Sequence, residues 1–284
     1  TECAREVSGH ERNRTDLDKE GTSVALYQTE GIILSQMPLG EQDKIVTLLS
    51  PEEGLVRAVV KGARKATSRL SAVTQPFTRA SFQLNRGKSL DRVTQVSLKT
   101  THPGILSDYG RVVCASYLSE LVSEFASERE ADRERFRLFS TVLDCVEERE
   151  DLWTVVKWAE IGLLARAGVL PSFNLCVLCG GELSPPAVFS AGLGGPVCGK
   201  CGHSDQNVDP ASGAFPGILV TAGTLKTIHM LSESKDTCPN LTARGKVREE
   251  VNQTLEQCLD YALGKRLNSS LLVGSILVGP NKGS

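Results

Sequence analysis

Long apolar runs are absent from this sequence of 284 residues. A helix that spans a bilayer needs about 20 consecutive apolar residues, and the polar N-terminus lacks the apolar core of a signal peptide. Nine cysteines are present, an odd number, and five of them are scattered: Cys3, Cys114, Cys145, Cys238 and Cys258. This usage favours a reducing compartment over a disulfide framework. We therefore expect a soluble cytoplasmic protein without a membrane segment, long enough for two domains.

Catalytic motifs are also lacking. The sequence contains neither a Gly-x-Ser-x-Gly elbow nor a His-Glu-x-x-His metal motif. Arg86-Gly87-Lys88-Ser89 is similar to the end of a phosphate-binding loop, but Phe82 stands where that motif requires glycine. The four histidines neighbour no obvious nucleophile. These absences favour a binding protein, and we expect no enzymatic activity.

Four cysteines are arranged as two Cys-x-x-Cys pairs, Cys176/Cys179 and Cys198/Cys201. The 18 residues between the pairs fall in the range of four-thiolate zinc sites. Four thiolates close the tetrahedral coordination sphere, so we predict one structural Zn²⁺ per chain. The alternative is a set of redox dithiols or buried thiols. His203 could replace a ligand, although a solvated loop histidine is the preferred interpretation.

Positive charge is concentrated in one part of the chain, although the formal net charge is only −2. Residues 55–99 hold ten basic residues and a single acid, Asp91, for a local charge of +9. Such a cluster indicates a polyanionic partner, most often nucleic acid; an ordinary solvated surface is the alternative. The predicted DNA contacts are Arg57, Lys61, Arg64, Lys65, Arg69, Arg86 and Lys88.

Five apolar segments between residues 27 and 98 predict β-strands, at 31–35, 44–49, 55–61, 77–84 and 90–98. In the third segment Val56, Ala58 and Val60 share one face, and Arg57 and Lys61 lie on the other. Five strands with short turns fit a closed barrel such as the OB-fold, and an SH3-like barrel gives nearly the same pattern. The scarcity of aromatic residues, here only Tyr27, Phe77 and Phe82, predicts binding through phosphates rather than stacked bases.

Helical periodicity begins after residue 104. Apolar stripes predict helices near 113–125, 136–146 and 152–163, and again at 218–231 and 247–262. The predicted fold is therefore a multi-domain α+β chain with an N-terminal five-stranded OB-like β-barrel, then an α-helical domain with an inserted four-cysteine zinc element. The predicted boundaries are a disordered tail at 1–23, the barrel at 24–103, the helical domain at 104–273 with the insert at 174–204, and a tail at 274–284.

Several short segments are similar to those of a known family. They are Glu30-Gly31-Ile32-Ile33-Leu34, Leu39-Gly40-Glu41-Gln42-Asp43-Lys44-Ile45-Val46-Thr47-Leu48-Leu49, Val60-Lys61-Gly62-Ala63-Arg64-Lys65, Gln75-Pro76-Phe77, Ala167-Gly168-Val169-Leu170-Pro171 and Ser269-Ser270-Leu271-Leu272. Together with the order barrel, helices and inserted cysteines, they make residues 27–273 resemble the bacterial recombination mediator RecO. Not all members of that family keep the cysteines.

The resemblance implies a DNA-repair protein that binds single- and double-stranded DNA, anneals complementary strands and, with RecR, helps load RecA onto strands coated by single-strand-binding protein (SSB). It implies a bacterial, nucleoid-associated protein. An acidic SSB tail with an apolar tip would bind residues 105–262, where apolar stripes flank an arginine-rich segment with Arg129, Arg133, Arg135 and Arg137. The alternative for these arginines is a solvated connector between two packed helices. Two other functions stay open: a zinc-ribbon nucleic-acid-processing enzyme, and an RNA-binding scaffold protein.

Overall fold

The computed structural model describes residues 16–17, 23–65, 68–204 and 217–278. These residues divide into two compact units. One comprises the residues up to Leu48 together with Val56–Thr100, and the other comprises Leu49–Leu55 together with the residues from Thr101 onward. Among the described helices, none combines the length and the apolar character that crossing a membrane requires.

The first unit is built on a closed five-stranded barrel. Its strands are β1 (Leu26–Leu39), β2 (Asp43–Ser50), β3 (Gly54–Val60), β4 (Arg79–Asn85) and β5 (Asp91–Thr100), and a short helix, α1 (Arg69–Val73), lies between β3 and β4. The order around the barrel is β1-β2-β3-β5-β4, with β3 and β5 parallel. This Greek-key order is that of the OB-fold, so the OB-like prediction is confirmed.

Alternation along β3 explains why the barrel closes around an apolar interior. Val56, Ala58 and Val60 are buried, and Arg57 between them is exposed, as the sequence pattern predicts. Phe82 on β4 is fully buried in the same core. A buried valine side chain contributes about 1.5–3 kcal/mol, so this alternation fixes which face of β3 meets solvent. The predicted strand 77–84 instead begins at Arg79, because Phe77 adopts a positive φ of 65°.

The second unit is mainly helical. Its helices are α2 (Pro103–Leu106), α3 (Tyr109–Phe125), α4 (Arg133–Glu148), α5 (Leu152–Arg166), α6 (Gly199–Ser204), α7 (Ala222–Glu233), α8 (Lys246–Leu263) and α9 (Ser269–Val278). The predicted stripes of α3 and α4 supply buried side chains, among them Leu118 and Phe139. The α5 helix is buried around its whole circumference from Trp153 to Leu164, including two charged residues, which places it at the centre of the bundle.

The four-cysteine region contains a small antiparallel sheet. Strands β6 (Ala187–Ser190) and β7 (Gly195–Val197) are joined by β8 (Ile218–Val220), which pairs with β6. The predicted helix at 218–231 is therefore wrong at its start. Ile218–Val220 completes the sheet, and α7 begins only at Ala222. The sheet also extends beyond the predicted insert boundary of 204.

The predicted tails differ from the structure in their described parts. Asp16–Leu17 pairs with Ser23–Val24 as a short antiparallel ribbon, whereas 1–23 was expected to be disordered; residues 1–15 and 18–22 lie outside the described residues. The α9 helix continues to Val278, five residues past the predicted end of the helical domain. Residues 279–284 lie outside the described part of the chain.

Candidate metal centre and nucleic-acid interface

Two tight turns bring the four cysteines together. In the first, the N–H of Gly180 donates to the carbonyl of Cys176 at 2.9 Å, and the N–H of Cys176 donates to the carbonyl of Gly181 at 2.9 Å. In the second, the N–H of Gly202 donates to the carbonyl of Cys198 at 2.9 Å. A positive φ of 68° at Gly180 allows the first turn to close without a Cβ clash.

The sulfur positions fit a tetrahedral ion. The four Sγ atoms of Cys176, Cys179, Cys198 and Cys201 all lie within 4.8 Å of one another, and those of Cys179 and Cys198 are 3.9 Å apart. Zinc–sulfur bonds of about 2.3 Å at tetrahedral angles place neighbouring sulfurs about 3.8 Å apart. The predicted cluster is therefore assembled by the fold and could bind a metal ion.

The electrostatics of the cluster favour a bound cation. Burial opposes ionisation of Cys176, but the backbone N–H groups of Cys198, Cys179 and Leu178 outweigh it and lower the pKa of that thiol to about 6. The neighbouring sulfurs of Cys198, Cys179 and Cys176 raise the pKa of Cys201 to about 12. Several thiolates cannot coexist at this distance without a positive ion to offset their repulsion.

Part of the cluster is closed to solvent. Cys176 and Cys198 are buried, with Val197 in the same apolar cluster. Four protein sulfurs leave no coordination position for a substrate. The arrangement is therefore suited to holding β6–β8 and the two turns together. The side chain of His203 lies outside the described residues.

The predicted cationic residues on the barrel start at β3 and continue beyond it. Arg57 is exposed on the outer face of β3, and Lys61 follows that strand with its Nζ 2.7 Å from Oδ2 of Asp43. Arg64 is held at the turn between β1 and β2, where its backbone N–H donates to the carbonyl of Gln42 at 2.9 Å. Lys65 is exposed beside it. These cations therefore lie along one side of the barrel, from β3 to the turn between β1 and β2.

Arg86 and Lys88 lie on the turn between β4 and β5. The guanidinium of Arg86 stacks over the ring of Tyr27, with Cζ 4.4 Å from the ring centroid, and Lys88 is exposed. The turn is closed by Asp91, whose Oδ1 accepts from the N–H of Gly87 at 2.8 Å. Since Asp91 pairs with Ala58, this turn ends next to the strand that carries Arg57. The backbone of Arg69 begins α1, but its side chain lies outside the described residues.

Arg92 is not among the DNA contacts that the sequence predicts, although it is one of the ten basic residues between positions 55 and 99. The parallel register pairs Arg92 with Val59, so it shares the outer face with Arg57 and Lys61. Arg92 is exposed and has no carboxylate partner among the residues that the structure describes. Only the β3–β5 register reveals this proximity, and the sequence spacing gives no signal for it. The outer cations Arg57, Lys61, Arg64, Lys65, Lys88 and Arg92 are called the cationic face below.

Acidic residues outside the segment 55–99 neutralise part of the positive charge of that segment. Glu30 on β1 pairs with Arg79, and its Oε2 lies 2.7 Å from Nζ of Lys99. Partial burial of Glu30 opposes its ionisation, but hydrogen bonds from both cations prevail and lower its pKa. Arg79 and Lys99 are therefore engaged in ion pairs within the barrel. The effective positive charge is smaller than +9 and lies mainly on the cationic face.

The aromatic residues of the barrel offer little surface for stacking. Phe77 and Phe82 are buried, and Arg86 covers the ring of Tyr27. The Tyr27 hydroxyl in addition donates to Asp91. The barrel therefore offers exposed charge but few exposed rings on which bases could stack.

A groove of about 620 Å³ lies in the helical unit among α4, α5 and α7. Its floor is apolar and includes Trp158, Ile161 and Leu231. Three cations, Arg137, Arg166 and Lys235, and two acids, Glu134 and Asp236, also line it. Of the arginines singled out in the sequence, Arg137 lines the groove and Arg133 is exposed elsewhere on α4, whereas Arg135 is buried in an ion pair with Asp132.

Comparison with known proteins gives a consistent result over both units. The family model described as "Recombination protein O N terminal" matches residues 24–102, and that described as "Recombination protein O C terminal" matches residues 106–271. A DNA repair protein RecO from Pelotomaculum thermopropionicum is 34% identical over 245 residues, covering 86% of this chain and 92% of the relative. One from Synechococcus elongatus is 31% identical over 267 residues, covering 91% of this chain and 98% of the relative. With its OB-like barrel, helical unit and four-cysteine cluster, the chain belongs to the RecO family of DNA repair proteins.

Proposed function

We propose that this protein binds single- and double-stranded DNA through the cationic face, anneals complementary strands and, with RecR, helps load RecA onto SSB-coated single strands at the nucleoid. The observation that carries the proposal is the grouping of Arg57, Lys61 and Arg92 on the outside of β3 and β5. OB-folds bind oligonucleotides at their second and third strands and at the turns that frame them. Those strands are β2 and β3 here. Lys88 lies on the turn between β4 and β5, and Arg64 and Lys65 follow β3, where Arg64 contacts the turn between β1 and β2.

Binding through this face should have little sequence preference. Lysine and arginine side chains contact phosphates, which carry no sequence information. The buried or covered aromatic rings leave few platforms for bases. A surface that neutralises the phosphates of two strands reduces their mutual repulsion, which favours annealing. No nucleotide hydrolysis is needed for such a step, so we expect activity without ATP and no catalytic turnover.

The metal of the four-cysteine cluster is proposed to be Zn²⁺ in a structural role. An all-thiolate tetrahedral set is typical of zinc, and iron–sulfur centres are the main competitor. The ion would hold the two turns and the small sheet, and its ligands do not include any residue of the cationic face. Its loss should therefore affect stability more than DNA affinity.

The groove among α4, α5 and α7 is the proposed receptor of the SSB tail. An acidic peptide with an apolar tip requires an apolar floor with cations at the edge, and Trp158, Leu231 and Arg137 supply these features. Lys235 adds a second exposed cation at the wall. This location falls within the range 105–262 that the sequence predicts.

A strand-annealing assay tests the proposed function. Complementary labelled oligonucleotides are mixed with the full-length protein, with and without SSB and without ATP, and duplex formation is followed by energy transfer. We expect the wild type to accelerate annealing in both conditions. The variant Arg57→Ala/Arg92→Ala should be slower, and Lys226→Ala, which removes an exposed lysine from α7, should behave as wild type. Equal rates for all three proteins would exclude the cationic face as the annealing surface.

A further inference from the structure

The end of β1 and the turn that follows it carry apolar side chains that are exposed to solvent. Residues 37–42, called the hairpin tip below, are all exposed, and they begin with Met37, Pro38 and Leu39. Met37 is 52% exposed and Leu39 is 38% exposed. Further back along β1, Ile33 is completely buried in the barrel core. The apolar surface of the hairpin tip therefore lies outside the core, where its exposure to water is unfavourable.

Contacts with the segment after β3 hold the hairpin tip in place. The guanidinium of Arg64 donates to the carbonyl of Gly40, and its backbone N–H donates to the carbonyl of Gln42 at 2.9 Å. Asp43, the next residue, accepts from the N–H of Gly62 at 2.8 Å. The hairpin tip is thus positioned before a ligand arrives, which reduces the entropy lost on binding.

The same contacts place the apolar surface beside two cations of the cationic face. Leu39 directly precedes Gly40, to which Arg64 donates, and Lys65 is exposed next to Arg64 in the chain. A partner that complements both features presents negative charge and apolar area together. Single-stranded nucleic acids do, because charged phosphates and the flat faces of the bases lie next to each other along the strand. In OB-folds the turn between the first two strands is one of the loops that bind oligonucleotides.

We propose that Met37 and Leu39 contact the unpaired bases of single-stranded DNA and thereby favour single over double strands. This contact rests on the proposed function and adds a base contact beside the cationic face. Leucine and methionine are among the side chains that some DNA-binding proteins insert between base steps. In a continuous duplex the bases are paired and stacked, so the same contact requires unstacking, which opposes it. Neither side chain reads the hydrogen-bonding pattern of the base edges, so the contact is independent of sequence.

Oligonucleotides with and without bases test the contact. Fluorescence anisotropy measures binding of the full-length protein to a single strand, to a duplex of the same length and to a single strand of abasic sugar-phosphate units. We expect Met37→Ser/Leu39→Ser to bind the single strand about tenfold more weakly than the wild type does. Its affinity for the duplex and for the abasic strand should be unchanged. Its salt slope on the single strand should also be unchanged, because an apolar contact releases no counterions.

Three further variants control for the fold and for a general loss of apolar surface. Met37→Leu/Leu39→Met keeps the apolar surface and should bind as the wild type. Leu98→Ser removes an exposed apolar side chain from β5, where Leu98 pairs with Ala80 of β4, and should also bind as the wild type. Leu39→Ser alone should show a smaller loss on the single strand, and it tests the contact if the double variant folds poorly. Equal weakening of Leu39→Ser on strands with and without bases, or equal weakening by Leu98→Ser, would overturn the proposal.

The variant Arg57→Ala/Arg92→Ala, measured alongside, separates the hairpin contact from the cationic face. It should bind all three nucleic acids more weakly and with a smaller salt slope. If it does so while Met37→Ser/Leu39→Ser binds all three as the wild type, the cationic face stands and the hairpin contact is rejected. If the serine variant binds DNA normally but no longer anneals SSB-coated strands, the hairpin tip binds a protein, which also overturns the proposal.

Discussion

Lys61 and Asp43 form an ion pair at the end of β3, with Nζ 2.7 Å from Oδ2, while the other carboxylate oxygen of Asp43 accepts from the N–H of Gly62 at 2.8 Å. Hydrogen bonds from Lys61 and from the Gly62 N–H lower the pKa of Asp43, so its carboxylate is ionised throughout the neutral range. Lys61 is therefore partly neutralised before any DNA arrives. Because Asp43 competes with phosphate for this cation, the acid should weaken DNA binding.

Asp43→Asn should increase DNA affinity. The asparagine oxygen can still accept from Gly62, but the substituted side chain no longer neutralises Lys61. One additional phosphate contact steepens the plot of log affinity against log salt by about 0.9 for duplex DNA. Fluorescence anisotropy over a range of salt concentrations measures the DNA affinity and its salt dependence. Glu41→Gln is the matched control, because it removes an acid from the same turn that has no ion pair among the described residues. Equal effects of the two variants would attribute the gain to net charge alone.

Combined replacement of Lys61, Arg64 and Lys65 by alanine should weaken DNA binding for all sequences tested. Loss of three phosphate contacts reduces the salt slope by roughly 2–3 on duplex DNA. The same titration with several unrelated oligonucleotides checks that the loss is uniform. An unchanged affinity and slope would move the DNA site away from the cationic face.

Replacing Cys176 by serine should destabilise the metal centre and leave DNA affinity largely unchanged. Metal binding is linked to folding, and a loss of about 2 kcal/mol lowers the thermal midpoint of a domain of this size by about 4–8 °C. Metal analysis by mass spectrometry should find about one zinc per wild-type chain, prepared under reducing conditions, and less in the variant. Cys258→Ala, which alters a buried cysteine outside the cluster, should retain the zinc. Wild-type protein without zinc would contradict the assignment.

The sequence predicts the barrel and the metal centre well because both depend on patterns among residues that are close together in the chain. Strand alternation at Val56, Ala58 and Val60 and the spacing of the cysteines are short-range patterns that are visible in the sequence itself. They predict a barrel strand and a metal site, although the sequence alone leaves an SH3-like barrel and redox dithiols open as alternatives. The position of Arg92 beside β3 depends on a parallel strand register between distant segments, which local spacing does not encode. Ile218–Val220 was assigned to a helix because a three-residue apolar strand is too short to show a period of its own. Pairing with β6 stabilises the extended conformation of this segment.

A peptide with the sequence of an SSB tail should bind the full-length protein with a Kd in the micromolar range, and added salt should weaken it because exposed charge pairs are screened. Arg137→Ala/Lys235→Ala should reduce the affinity severalfold, since both cations line the α4–α5–α7 groove. Arg133→Ala is the control, as Arg133 is exposed on α4 but does not line the groove. Isothermal titration calorimetry measures the Kd of the peptide for the wild type and for both variants. If Arg133→Ala weakens binding as much as the double variant, the tail binds elsewhere on the helical unit.

The α5 helix carries a buried pair of opposite charges. Lys157 and Glu160 are both almost completely buried, with Nζ 2.8 Å from Oε2, and the hydroxyl of Tyr117 donates to Oε1 of Glu160 at 2.9 Å. Glu160→Gln keeps an acceptor for Tyr117 but leaves the ammonium of Lys157 without its counter-charge. Breaking a buried pair in this way costs about 3–5 kcal/mol, whereas removing both charges is much less harmful. Urea unfolding at equilibrium should therefore show a large loss for Glu160→Gln and substantial recovery for Lys157→Met/Glu160→Gln. If the double variant is as unstable as the single one, packing or the Tyr117 hydrogen bond, rather than the unpaired charge, determines the loss.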